Sequence, residues 1–431
     1  MKLTAYLNGI RVGWFKQQAG GAITLEYDRV WQNRSTRMEL SWSLPKSRRQ
    51  HTGTAPGNYL WNLLPDSTEV LERWGRRFSV SPRNPLALLS HVGVDAAGAV
   101  QLLLSDDYDE PTLSGEGAIE PIDDVGIAAH LRELRRDPSA WVTPGYEGGY
   151  FSLAGAQSKF TLVRTPKGWG IPTGRTASTH IVKPGVTGLT RSDLNEHLTM
   201  RAAQFLDLPV AASRVMRLED QTAIVVTRFD RARTRDGAIT RLHQEDFAQA
   251  TGTHPSAKYQ NEGGPGIARI GEMMLENLSG AAEAEVSRFF EATMFNWAAL
   301  GTDAHAKNYA LLYGRSRSLR ATLAPLYDLG SALAYSEINN RRAKLAMSYD
   351  GHYRVFEIEP RHLVREAEPL GLTETWVIDR ARHVVDRLPD AFSRAASEAA
   401  LGGDDAAFAG MLIDRARERA DALRAQLNRR L

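Results

Sequence analysis

The segment Gly301-Thr302-Asp303-Ala304-His305-Ala306-Lys307-Asn308 sets an aspartate five residues before an asparagine. A second aspartate, Asp328, follows twenty residues after Asn308, inside Leu326-Tyr327-Asp328-Leu329-Gly330. This spacing suits phosphoryl transfer. There, one Asp accepts the proton of the attacking hydroxyl, an Asn five residues on holds magnesium, and a downstream Asp in an Asp-Phe-Gly-type turn holds magnesium as well. Asp303, Asn308 and Asp328 match these roles. The reaction needs such groups because charge spread over phosphate oxygens must be met by metal and fixed donors while the nucleophile is aligned. Each Asp could instead cap a helix or a turn. Three at these spacings, emerging abruptly from the apolar run Phe289 to Leu300, favour the catalytic reading.

A nucleotide would also need a phosphate-cradling loop and a strand lysine. Ser152 to Lys159 (SLAGAQSK) precedes an apolar strand, and its small residues would let backbone N–H groups approach phosphate oxygens. It lacks the glycine signatures of established phosphate loops, so alone it is a weak signal that hardly rises above an ordinary turn. Lys183 closes the strand His180-Ile181-Val182-Lys183. A solvated edge lysine is the plain alternative, whereas Glu196 at the start of the next helical pattern offers the ion-pair partner such a lysine has in kinases.

Several elements must position these groups. Leu3 to Leu7, Arg11 to Phe15 and Ile23 to Tyr27 alternate polar and apolar residues around Asn8-Gly9 and Gly20-Gly21, which predicts hairpins. Helical patterns follow at Tyr59 to Leu64 and Pro85 to Val92, and the acidic, turn-rich stretch Ser105 to Gly117 reads as a boundary. Lys159 to Arg164, His180 to Lys183, Ser213 to Leu218 and Thr222 to Phe229 read as strands. Between them Leu194, Leu198, Ala202 and Phe205 fall at helical spacing, with Asp193 and Glu196 placed as a capping box. After about residue 240 the signal turns helical, with Val286, Phe289, Phe290 and Trp297 on one face and long patterns over Glu374 to Leu388 and Ala406 to Leu427. The expected fold class is α+β. A β-rich domain over 1–110 precedes a small mixed α/β lobe over 146–230 and a helical large lobe over 231–431.

The 431 residues, 42% of them hydrophobic, can fill more than one core. With 53 basic and 51 acidic residues the net charge of +2 gives no global attraction to nucleic acid or membrane. The absence of cysteine excludes disulfides, zinc-thiolate sites and thiol catalysis. No run reaches the roughly 18 apolar residues of a membrane helix and no signal peptide is evident, so a cytoplasmic protein is expected. His51, His91 and His362 lack metal-ligand spacing and read as surface or core residues. The nine tryptophans read as core, and the basic run Arg415 to Arg430 as a solvated helix face.

Taken together, SLAGAQSK, His180 to Pro184 (HIVKP), Val226 to Arg231 (VTRFDR), Gln244 to Phe247 (QEDF), Lys258-Tyr259 with Gly263 to Ile270 (GGPGIARI), and Thr302 to Asn308 (TDAHAKN) resemble the HipA kinase family over about residues 148–390. Asn62 to Pro65, Ser81 to Leu88 and Gly98 to Gln101 are similar to the coupling domain that precedes these kinases. The resemblance implies a two-lobed protein-kinase-like fold using ATP and Mg2+, with Asp303 as catalytic base and Asn308 and Asp328 as metal ligands. It implies phosphate contacts from Ala154, Gly155, Ala156, Gln157, Ser158, Lys159 and Lys183. Thr227, Arg228 and Phe229 would form the adenine hinge, and His305, Ala306, Lys307, Asn308, Tyr327 and Asp328 would line the nucleotide site. Ser152 matches the serine these kinases autophosphorylate to shut themselves off.

Substrates in the family are aminoacyl-tRNA synthetases, notably glutamyl-tRNA synthetase. The usual partner is a HipB-like helix-turn-helix antitoxin dimer, through which operator DNA is reached. Thr227 stands where an acidic residue is found in the best-known members, and Glu368 and Gly371 stand where a member uses basic residues on DNA. A small-molecule kinase shares the Asp-x4-Asn loop but does not account for GGPGIARI, SLAGAQSK or the coupling domain. A non-catalytic co-repressor scaffold is disfavoured by the intact Asp303, Asn308, Asp328 and Lys183.

Overall fold

The computed structural model describes residues 1–34, 38–104, 117–142, 150–278, 280, 282–314, 321–335 and 342–429. The stretch read as a boundary lies, Gly117 apart, outside the described residues, as does residue 146. The chain divides into two compact units, the first of residues 1–184, 216–256 and 310–321, the second of 185–215, 257–309 and 322–431.

The first unit holds two larger sheets and the hairpin of Arg231–Arg233 with Ile239–Arg241. Strands β1 (Lys2–Leu7), β2 (Ile10–Gln17), β3 (Ile23–Tyr27), β4 (Gln50–His51) and β5 (Val100–Leu103) form a sheet in the order β4-β3-β2-β1-β5. The predicted hairpins are present, and Leu3, Ala5, Val12, Phe15 and Leu25 fill the buried face. The second sheet comprises β6 (Ile119–Ile122), β7 (Phe160–Thr165), β8 (Gly168–Pro172), β9 (His180–Pro184), β10 (Ser213–Leu218) and β11 (Gln221–Thr227), in the order β10-β11-β9-β7-β8-β6. Strands β7, β9, β10 and β11 follow the sequence pattern. Strands β6 and β8 were not expected: both are short and contain proline, and β8 has two glycines, which weakens any strand signal. One apolar core runs from Leu3 and Leu25 through Trp74 and Trp141 to Phe160 and Val225, so both sheets share it.

A buried charge network ties the same parts together. Asp95 accepts from Arg231 Nη2 at 2.9 Å, from Arg241 Nη2 at 3.4 Å and from Ser178 Oγ at 2.6 Å. Asp230 pairs with Arg228 at 2.8 Å and accepts from Gly98 N at 2.7 Å. Burial alone would push the Asp95 carboxyl up, but the guanidiniums of Arg231, Arg228 and Arg241 outweigh it and hold the group well below the usual carboxylate range.

The second unit is mainly helical. The helix expected around Leu194 is Ser192–Phe205, but its N-cap is Arg191 in a left-handed conformation with no side-chain capping bond. Asp193 lies inside the first turn, where its charge complements the helix dipole rather than closing a capping box. Two 25-residue helices, Glu374–Glu398 and Gly403–Leu427, pack against each other. The first runs ten residues past the expected end, through Pro389, because Ala391, Phe392 and Ala395 beyond the proline are buried. The region after 240 is also less helical than expected. The short strands Gln244–Asp246 and Ala310–Tyr313 of the first unit pair, as do Lys344–Tyr349 and His352–Arg354 of the second. No helix among the described residues is long and apolar enough to cross a membrane.

Candidate active site

The helix Ala282–Ala298 is the foundation of the second unit's polar cluster. Val286, Phe289, Phe290 and Trp297 are fully buried, so packing fixes its direction. The chain leaves it through Leu300 at φ +56°. Gly301 follows because no side chain fits: a Cβ would lie 2.1 Å from Asn296 Oδ1. Asn296 braces the turn, its carbonyl accepting from Gly301 N at 2.7 Å and its Nδ2 donating to Tyr309 Oη at 2.9 Å.

Asp303 is the exposed member of the loop that results, its side chain 69% accessible. Its carbonyl accepts from His305 N and from Asn308 Nδ2, both at 2.8 Å. The loop is thus closed by residues five apart, which gives the Asp-x4-Asn spacing its physical content. With its nitrogen donating, Asn308 keeps its amide oxygen as the end able to take a cation. His305, Ala306, Lys307 and Asn308 are buried. The Lys307 carbonyl accepts from Tyr327 Oη at 2.8 Å, which fastens the residue before Asp328 to this loop.

Asp328 has φ +58°, a conformation costing a non-glycine residue about 1–3 kcal/mol and kept only where the surroundings over-determine it. Those surroundings are specific. Ser331 Oγ donates to the Ala299 carbonyl at 2.6 Å, and Ala332 N to the Leu300 carbonyl at 3.0 Å. Asn195 brackets Ser331 from the helix Ser192–Phe205, donating to its carbonyl at 2.9 Å and accepting from its N–H at 3.3 Å. The segments of Asp303, Asn308 and Asp328 are therefore tied to one another within a single compact unit.

Two contributors were given no role from the sequence, although Lys258-Tyr259 is among the motifs that carry the resemblance. Asn195 is one. The other is Tyr259, whose phenol donates to Asp303 Oδ1 and whose ring meets His305 edge-on at 5.0 Å. Tyr259 is placed by the glycine run that follows it. Gly264 backs onto the carbonyls of Ala257, Lys258 and Tyr259 so closely that a Cβ would approach to 2.4–2.9 Å. No local pattern could link Tyr259 to an aspartate 44 residues away.

The first unit carries the remaining predicted residues. Ser152 is fully buried, its Oγ donating to the Leu63 carbonyl at 2.7 Å and its N–H to the Asp95 carbonyl at 2.9 Å. Ala154, Gly155, Ala156, Gln157 and Ser158 are partly or fully accessible. Gln157 Nε2 donates to the Pro184 carbonyl at 3.1 Å and Ser158 Oγ to that of Pro138 at 2.9 Å. Lys159 Nζ donates to the Ala154 carbonyl at 2.9 Å and lies 4.5 Å from the Trp141 ring centroid. Lys183 is a buried residue of β9 in register with Ile224, not a solvated edge lysine. Thr227 ends β11 and is exposed, and Phe229 is half-buried. The Arg228 guanidinium is committed to Asp230, Ser178 and the Ala96 carbonyl. Glu196 is buried in the helix Ser192–Phe205 of the second unit.

One histidine departs from its expected isolation. His362 gathers with Asp350 and His352, ligand-capable atoms all within 4.8 Å. However, its Nδ1 accepts from Glu359 N at 3.1 Å and so caps the helix Pro360–Ala367.

Residues 151–392 match the HipA-like C-terminal domain and residues 3–103 the HipA N-terminal domain. The chain is 34% identical over 395 residues to Y4mE of Sinorhizobium fredii, a protein named as a kinase, covering 91% of each. It is 28% identical over 409 residues to the serine/threonine-protein kinase toxin HipA of Shewanella oneidensis, covering 91% of this chain and 89% of that one. The solved complex of Shewanella oneidensis HipA with HipB and its operator DNA superposes with a TM-score of 0.83 at 25% identity, covering 99% of this chain and 98% of that one. With both HipA domains matched in order over most of its length, the chain belongs to the HipA family of toxin kinases.

Proposed function

We propose that this protein is a cytoplasmic serine/threonine kinase toxin that uses ATP and Mg2+, and that an aminoacyl-tRNA synthetase, glutamyl-tRNA synthetase first, is its target. The observation that carries the reading is the loop in which Asp303 stands exposed while its own main chain fixes Asn308 and its carboxylate is held by Tyr259. Asp303 accepts the proton as the substrate hydroxyl oxygen bonds to the γ-phosphorus and the bond to the bridging oxygen breaks, leaving ADP. Asn308 and Asp328 offer the hard oxygen donors that magnesium requires. When bound, the metal supplies positive charge to the phosphate oxygens. Ala154 to Lys159 and Lys183 orient the phosphates, and Thr227 to Phe229 meet the adenine, the part of Arg228 being its main chain.

We further propose that Ser152 is autophosphorylated and that this switches the enzyme off. Its hydroxyl is buried, so the segment must leave its seat to react, and a phosphate of about −1.5 to −2 charge would not return to it. An antitoxin dimer of the helix-turn-helix kind is the proposed neutralising partner and the route to operator DNA, supported by the likeness to a protein solved with HipB and its operator.

Purified protein and its Asp303→Ala variant, incubated with magnesium, labelled ATP and a bacterial extract, test this. A labelled synthetase and labelled Ser152, both absent in the variant, are expected. No protein label despite ATP binding would replace the reading with a small-molecule kinase or a regulatory scaffold.

A further inference from the structure

The first unit contains a concave site that phosphoryl transfer leaves unused. A cleft of about 520 Å³ opens between the end of β7 and the hairpin of Arg231–Arg233 with Ile239–Arg241. Arg164, Arg175, Arg233 and Arg241 line it, and no acidic residue is among its described lining. None of the residues assigned to ATP or magnesium is among them either.

Arg241 sets the character of the site. It is 8% exposed, and its Nε has no hydrogen-bond partner among the described residues. Its Nη2 donates to the Arg175 carbonyl at 3.0 Å and shares Asp95 with Arg231. Among the described residues, Arg228, Arg231 and Arg241 of the buried network face only Asp95 and Asp230, so one positive charge is in excess there, and of the three arginines Arg241 alone reaches the cleft. Arg164 and Arg233 extend the same sign outward, both exposed, with Arg233 Nη2 donating to the Arg164 carbonyl. The Arg164 guanidinium lies over the Trp169 ring at 4.9 Å and that of Arg233 donates to the Gly237 and Arg164 carbonyls, contacts that leave both positive charges in place to attract an anion. The planar guanidinium forks match phosphate oxygens, and the volume falls within the range of small-molecule sites rather than that of an extended nucleic-acid track. Ile119 and Val163 give the wall an apolar stretch for an organic moiety.

We infer that this cleft is a second ligand site, taking a small polyphosphorylated molecule independently of the proposed ATP site. Charge-assisted hydrogen bonds worth about 1.5–3 kcal/mol each predict a loss of roughly 10- to 100-fold in affinity per arginine removed.

Calorimetric titration of the full chain with sodium tripolyphosphate in magnesium-free buffer is the test, using wild type, Arg164→Gln/Arg233→Gln and Lys183→Met. Both arginines are exposed, so the double variant should keep its fold. One saturable site is expected, weakened at least about 10-fold in the double variant and unchanged in Lys183→Met. No saturable binding, or binding that the double variant retains, overturns the proposal. An oligodeoxythymidylate that binds more tightly than tripolyphosphate, and loses binding in the double variant, would reassign the cleft to nucleic acid and overturn the small-ligand assignment.

Discussion

The phenol of Tyr259 donates its hydrogen to the carboxylate of Asp303, the one strongly exposed side chain of a loop whose later residues are buried. An exposed carboxylate on a turn would otherwise sample several rotamers, and the phenol selects one. Tyr259→Phe removes this bond while keeping the ring against His305. We expect kcat to fall about 10-fold with KM for ATP unchanged, since alignment of the base is lost and substrate contacts are not. Steady-state kinetics of the two proteins checks this. A parallel rise in KM would mean that Tyr259 acts through the nucleotide instead.

Gly301→Ala should cripple the same loop for a steric reason. The added Cβ meets Asn296 Oδ1, which belongs to a side chain already spent on Tyr309. A loss of about 1–3 kcal/mol in unfolding free energy is expected, with phosphoryl transfer reduced further than stability alone explains. Urea denaturation and activity measured at a temperature where the variant is folded separate the two effects.

Glu245 predicts a pH dependence. Burial pushes its carboxyl up to about 7, against the hydrogen bonds of Ser41, Tyr313 and Trp42 that act to lower it. Between its ordinary value of 4.5 and about 7 the folded protein therefore binds more protons than the unfolded chain. Its contribution to stability is complete below 4.5 and is lost as the pH rises through 7, at a slope of about 1.4 kcal/mol per pH unit. Glu245→Gln lacks this slope. Melting temperatures at pH 5 and pH 8 should fall more for wild type than for the variant; equal falls would show that the group is ionised throughout.

Ser152→Glu mimics the proposed modification by placing a charge where a hydroxyl donates to a carbonyl inside the core. A buried, unpaired carboxylate is too costly to keep, so the segment 151–158 should leave its seat. Faster tryptic cleavage after Lys159 and weaker ATP binding are expected, whereas Ser152→Ala should show neither.

The sequence made some of this legible, for physical reasons. The spacing of Asp303 and Asn308 survives in the primary structure because one hydrogen bond closes the loop between them. Strands such as β9 and β11 announce themselves because burial demands β-branched residues there. Contacts made at long range carry no such trace. Tyr259 meets Asp303, Asn195 brackets Ser331, and Arg228 turns into a charge network, all through tertiary packing. The helix Glu374–Glu398 crosses Pro389 because burial on both sides outweighs a local preference to stop.

The charge network of Asp95, Arg228, Arg231 and Arg241 also bears on how such a chain can change over evolutionary time. Its acidic and basic members come from segments that two separate family descriptions match, 3–103 and 151–392. A gene fusion that exchanged the first segment for an unrelated one would strand three guanidiniums in the core with a single carboxylate. Losing one partner of a buried pair costs about 3–5 kcal/mol, a large share of a domain's stability. An exchange of the first segment therefore spares the second only where the incoming chain places a carboxylate where Asp95 stands.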